Sequence, residues 1–67
     1  MCRSIKQLRH PDQASTDAEI EAAALQFVRK VSGYRAPSAA NQQAFESAVA
    51  DIARTTRTLL DSLVIRG

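Results

Sequence analysis

Two runs of apolar residues recur at helical spacing, and they differ in length and strictness. In the first, Ile20, Ala24, Phe27 and Val31 step by four, three and four, with Ala23 and Val28 widening the stripe. Apolar positions spaced three and four apart share one face of an α-helix. Ala22, Gln26 and Arg29 fall on the opposite face, and Leu25 lies off the stripe at a position more exposed than a core residue takes. Thr16-Asp17-Ala18-Glu19 opens this run in the form of a capping box. In that motif the Thr16 hydroxyl accepts the Glu19 amide while the Glu19 carboxylate accepts the Thr16 amide. Ser32-Gly33 closes the run, and Gly33 is the natural left-handed residue after a helix. The pattern predicts a helix over about 16–32.

The second run is stricter. Phe45, Val49, Ile52, Thr56, Leu59 and Leu63 alternate steps of four and three, flanked by Ala48, Ala53 and Leu60, and no Gly or Pro interrupts residues 39–66. Pro37-Ser38 restarts the chain after the first helix, with Ser38 as an N-cap whose hydroxyl would accept the Asn41 amide. Thr56 places a hydroxyl in an otherwise apolar seam, where it can bond back to a carbonyl, bend the helix or mark a change of partner. A second helix over about 38–64 follows. The fold class is therefore all-α, an antiparallel helical hairpin with a short N-terminal arm packing on the long helix. The chain is one small domain: arm 1–15, first helix 16–33 with its capping glycine, turn 34–37, second helix 38–64.

Length shapes the assembly. At 1.5 Å per residue the first helix spans roughly 24 Å and the second roughly 39 Å. Pairing from the shared turn then covers only the first two-thirds of the longer helix. Either Ile5 and Leu8 of the arm fold back as a short turn of helix, or a second copy supplies the missing surface. Two large apolar residues are little for that task. The expectation is a homodimer through Ile52, Leu59, Leu60 and Leu63, with a contribution from the arm.

Composition narrows the function. The chain has 67 residues and a mass of 7.3 kDa, with 45% hydrophobic and 24% charged residues, a globular balance. A chain of this size buries only about 60% of the surface its unfolded form exposes and leaves little room for a deep substrate cleft. Large α/β enzymes, doubly wound nucleotide folds and multi-domain machines are excluded on length alone. One Cys excludes an internal disulfide framework and a four-Cys zinc site. No apolar run nears the roughly 18 residues of a membrane span, and no signal-peptide core follows the start, so the expected location is the cytoplasm. A single His leaves no Ser-His-Asp set, and no Gly-rich phosphate loop is present, so enzyme activity is not expected and no cofactor is implied.

The separated motifs Met1-Cys2-Arg3-Ser4-Ile5-Lys6 and Ala22 to Gly33, the latter containing Phe27-Val28-Arg29-Lys30-Val31-Ser32-Gly33, carry a resemblance. Pro37-Ser38, Asn41, Ala44-Phe45 and Leu59-Leu60 extend it over nearly the whole chain. The sequence resembles the short bacterial proteins grouped as domain of unknown function twenty-two seventy-seven. Typical members begin Met-Cys-Arg-Asn-Ile and carry Tyr-Val-Arg-Lys-(Ile/Val)-Ser-Gly. Here Ser4 stands where Asn is usual and Phe27 where Tyr is common, and the polar, Pro-containing tail of longer members is missing. The resemblance implies a family and brings no activity with it.

Charge is arranged in blocks. Arg3, Lys6, Arg9 and His10 come first, Asp12, Asp17, Glu19 and Glu21 follow, and Arg29, Lys30 and Arg35 cluster around the turn. Acids in a first helical turn and bases in the last are also ordinary complements to the helix dipole. The candidate anion or nucleic-acid contacts are Arg3, Lys6, Arg29, Lys30, Ser32, Gly33, Arg35, Ser38 and Asn41. The turn residues among them sit beside the start of the second helix, where amides and the dipole favour an anion. Against this, Glu46, Asp51 and Asp61 interrupt any basic face on that helix, and the bland reading is a capped turn with solvated bases. Cys2 is a candidate thiol, its pKa open to lowering by Arg3, Lys6 and Arg9. With His10 it offers two metal ligands, fewer than a structural zinc needs. Cys2 as a small packed hydrophobe and His10 as a solvated residue before Pro11 are the plain alternatives. Three functions result: a non-enzymatic macromolecular interaction module first, a nucleic-acid-binding accessory factor using the turn and arm second, and a thiol sensor or metal site at Cys2 third.

Overall fold

The capping box forms as the sequence spells it. In the computed structural model, which describes residues 6–9 and 15–64, the Thr16 hydroxyl accepts the Glu19 amide at 3.2 Å and Glu19 Oε1 accepts the Thr16 amide at 3.0 Å. Helix α1 then runs Asp17–Ser32 and ends at Gly33, whose φ of 79° lies in the left-handed region. The Gly33 amide donates back to the Arg29 carbonyl at 2.9 Å, the single-bond form of a left-handed helix stop. Thr16→Ala is expected to cost about 1 kcal/mol, read as a lower midpoint in a urea melt.

The Glu19 carboxyl is held below its usual value of 4.5, first by the Thr16 amide and then by Lys6, whose Nζ lies 3.1 Å from Oε2. A depressed carboxyl stabilises the fold above its unfolded pKa and loses that contribution as the pH falls through the folded value. Stability should therefore decline below about pH 4.5, and Glu19→Gln should flatten that part of the acid titration. An unchanged acid limb in the variant would show that the box contributes nothing by charge.

Helix α2 is shorter than its periodic pattern. Ala39–Asn41 form one 3₁₀ turn, and α2 proper runs Gln42–Ser62. The Ser38 hydroxyl does not cap a backbone amide. It accepts instead the Asn41 side-chain amide at 3.0 Å, while the Asn41 backbone amide goes to the Ser38 carbonyl at 3.0 Å. Tight i to i+3 bonding at the entry uses up the groups that an ordinary N-cap would satisfy.

The two helices pack as an antiparallel hairpin, with no strand among the described residues. Among the described residues the core is small: Leu8, Ile20, Ala24, Val28 and Phe45 are the buried hydrophobic ones. On α1 the buried stripe is therefore 20–24–28, spaced four and four. Phe27 and Val31, which the sequence pattern places in the core, are 45% and 70% exposed. A four-four stripe leans around the helix where a four-three stripe runs straighter, so Ala24 sits in the dry seam against α2 while Phe27 stands at its edge.

On α2, Phe45 is buried, Val49, Ile52, Thr56 and Leu60 are half-buried, and Leu59 is exposed, as is Leu63 just past the helix end. A strict seven-residue repeat drifts by about 20° per heptad on a straight helix, and the seam rotates outward toward its end. The Thr56 hydroxyl bonds back to the Ile52 carbonyl at 2.7 Å, which keeps it satisfied in the apolar seam.

The open end of the hairpin is tied by Arg57. Its Nη2 donates to Asp17 Oδ1 at 2.6 Å and to the Ser15 carbonyl at 3.0 Å, and its Nη1 reaches Asp61 at 3.4 Å. Helix α1 thus covers α2 as far as Arg57, further than the turn-anchored estimate allowed, because residues 33–41 are spent on a loop and a 3₁₀ turn. The arm adds Leu8, buried beneath the hairpin while residues 6–9 stay non-helical. The Ser15 hydroxyl donates to the Leu8 carbonyl and pins the arm. Non-helical backbone at residues 6–9, not the expected turn of helix, does this work; Ile5 lies outside the described residues.

Candidate functional site

Three shallow hollows run along one side of the hairpin, and Phe27 and Ile52 line all of them. Toward the turn, the walls are Val31 and Tyr34 on one side and Ala44, Phe45 and Ala48 on the other. In the middle, Thr55, Thr56 and Leu59 join them. At the open end, Leu8 of the arm lies beside Leu59, Leu60 and Leu63. The linings are overwhelmingly apolar. Helical periodicity explains the α2 half of this surface: Ala48, Ile52, Thr55 and Leu59 repeat at four, three and four. The α1 half follows from the shift of the buried stripe, which turns Phe27 and Val31 outward. Sequence reasoning missed both as surface residues because their spacing is equally good for a core.

The basic turn is organised by bonds to itself. Arg29 Nε donates to the Arg35 carbonyl at 2.8 Å, and the Ser32 hydroxyl accepts the Tyr34 amide at 3.1 Å. Asn41 Nδ2 contacts both the Ser38 hydroxyl at 3.0 Å and the Tyr34 hydroxyl at 3.4 Å. Arg29, Ser32, Gly33, Ser38 and Asn41 are therefore brought together, and each has a part in closing the turn. Gln26, Arg29, Lys30, Gly33, Tyr34 and Arg35 surround a shallow, partly polar depression there.

Lys6 is elsewhere. It pairs with Glu19 in the first turn of α1, and α1 places the basic turn roughly 24 Å away at its other end. The described part of the arm and the turn do not form one cationic surface. Arg3, Cys2 and His10 lie outside the described residues, so the thiol and metal readings fall there too. Among the described residues no group of His, Cys, Asp and Glu is placed to hold a metal ion, and no helix is long and apolar enough to cross a membrane.

Gly33 is the one turn position where glycine is required by geometry. A Cβ there would meet nothing within 4 Å, so a substitution is resisted by the positive φ alone. Gly33→Ala is expected to cost about 1 kcal/mol, with a melt that shifts while the helix content at low temperature is retained.

No curated protein matches this chain, and no solved structure does. The pattern of one family covers it from end to end, residues 1–67, and the chain belongs to that family, described as an uncharacterized conserved protein (DUF2277).

Proposed function

We propose that this chain is a non-enzymatic interaction module of the cytoplasm that docks a macromolecule on the apolar side of its hairpin. The observation that carries this reading is the exposure of Phe27, Val31, Leu59 and Leu63 along one run of hollows. A chain this small gains little by leaving several large apolar side chains in water, and contiguous apolar surface of this kind marks association sites. The basic turn takes second place. Arg29 Nε and the Ser32 hydroxyl are engaged in closing the loop, and Lys6 is paired with Glu19 at the far end, which leaves Lys30 and Arg35 as a small cationic patch.

The test is the native size of the protein in extracts of its own host, wild type against Phe27→Glu, with Lys30→Ala/Arg35→Ala as a control. The expected result is migration well above the 7.3 kDa chain that collapses to the chain alone in Phe27→Glu and persists in the control. Wild-type protein migrating as a lone chain would overturn the reading. So would a complex lost in the control and kept in Phe27→Glu, which would transfer the role to the turn.

A further inference from the structure

Resting on the docking reading above, we propose that the occupant of the apolar face is a second copy of this chain, turned end for end. Two hairpins then close into a four-helix bundle about a two-fold axis that passes beside Phe27 and Ile52.

The register of α2 supports the arrangement. Ile52 is the middle residue of Gln42–Ser62, and Phe45 and Leu59 stand one heptad to either side of it. An axis at Ile52 lays Leu59 of each copy toward the hollow that Phe45, Ala44 and Ala48 wall in the other. Leu59, 55% exposed, is a knob, and the two alanines leave the hole. Ile52 meets the partner's Ile52 and Phe27 meets the partner's Phe27. A single surface thereby supplies both halves of the contact, as an isologous interface requires.

Charge selects the direction. The first turn of α1 carries Asp17 and Glu19, and its last turn carries Arg29 and Lys30, with Arg35 just beyond. If the axis ran along the helices, the two turns would meet and their cations would crowd together. End-for-end pairing instead carries the two turns, each with its Arg35, to opposite sides of the axis, while Asp17 and Glu19 keep their partners Arg57 and Lys6 within each copy.

Size reaches the lower edge of the stable range. A face as long as α2 and two helices wide projects roughly 30 Å by 20 Å, on the order of 600 Å² per partner before side-chain relief, against about 600–1,000 Å² per partner in stable interfaces. Among the described residues, five buried hydrophobic side chains make a thin core for the hairpin alone. A bundle turns its exposed stripe into a second core, the way two short helical hairpins reach stability together.

The test is sedimentation equilibrium of the purified full chain, under reducing conditions, from micromolar to millimolar concentration. Association to twice the 7.3 kDa chain mass is expected. Phe27→Glu and Phe27→Lys should each weaken it by about a hundredfold or more, since a charge would face its own copy across the axis. Mixing the two variants should restore it. Phe27 is exposed within the hairpin, so both should keep their helical circular dichroism when dilute; Leu59→Glu, also at an exposed position, serves if either does not. A wild-type chain that stays monomeric throughout overturns the second copy. If the host extract still holds a complex that Phe27→Glu destroys, docking stands with a different partner; if it does not, both readings fall. Dimerisation without rescue in the mixture overturns the end-for-end arrangement.

Discussion

Phe45→Ala should remove about 3–5 kcal/mol of stability, the largest loss of any single substitution in the hairpin. Phe45 is the one buried aromatic residue, 8% exposed, and the anchor of α2 at the turn end of the hairpin. Emptying such a site costs about 3–5 kcal/mol, as the lost transfer energy adds to the cavity left behind. Typical stabilities of roughly 0.05–0.15 kcal/mol per residue leave a chain of this length about 3–10 kcal/mol in all. The loss therefore consumes much or all of what is present. The measurement is a urea titration followed by far-ultraviolet circular dichroism, with Phe27→Ala beside it. At low concentration the Phe27 variant should melt close to wild type, because its ring is nearly half in water. Equal losses in the two would mean that the packing described here is wrong at both rings.

The second large effect separates the two stripes on α1. Ile20→Ala should cost about 2–5 kcal/mol, since Ile20 is 2% exposed. Val31→Ala should change stability by no more than about 0.5 kcal/mol in dilute protein, because Val31 lies mostly in solvent at 70%. At higher concentration the Val31 variant should fall behind wild type if the face is occupied. The Ile20 variant should be destabilised at every concentration. A large, concentration-independent loss at Val31 would return it to the core and remove it from the docking surface.

The local chemistry of α1 was legible residue by residue. Thr16 and Glu19 announce a capping box and form one; Gly33 announces a left-handed stop and forms one. These motifs close within four residues, so nothing distant can overrule them. Ser38 is less legible: its position suggests a hydroxyl bonded to a backbone amide, and the hydroxyl is taken by the Asn41 side chain. The competing 3₁₀ turn depends on how residues 33–41 cross from one helix to the other, which local propensity does not encode. The candidate set around the turn was also half legible. The bases and polar residues there do converge, but the sequence did not show that Arg29 and Ser32 bond to the loop itself, or that Lys6 lies with Glu19 at the opposite end.

Sequence by itself determined that this protein is two helices of unequal length joined by a short loop, where the first begins and ends, and that it carries more large apolar residues than so short a hairpin can bury. Tertiary structure alone decided which of them go inside. Ile20, Ala24 and Val28 take the core over Phe27 and Val31 because α2 packs along that edge of α1, and the arm brings Leu8 beneath them without forming a helix. A spacing of three or four residues says that side chains share a face; only the contact between helices says which edge of that face is dry.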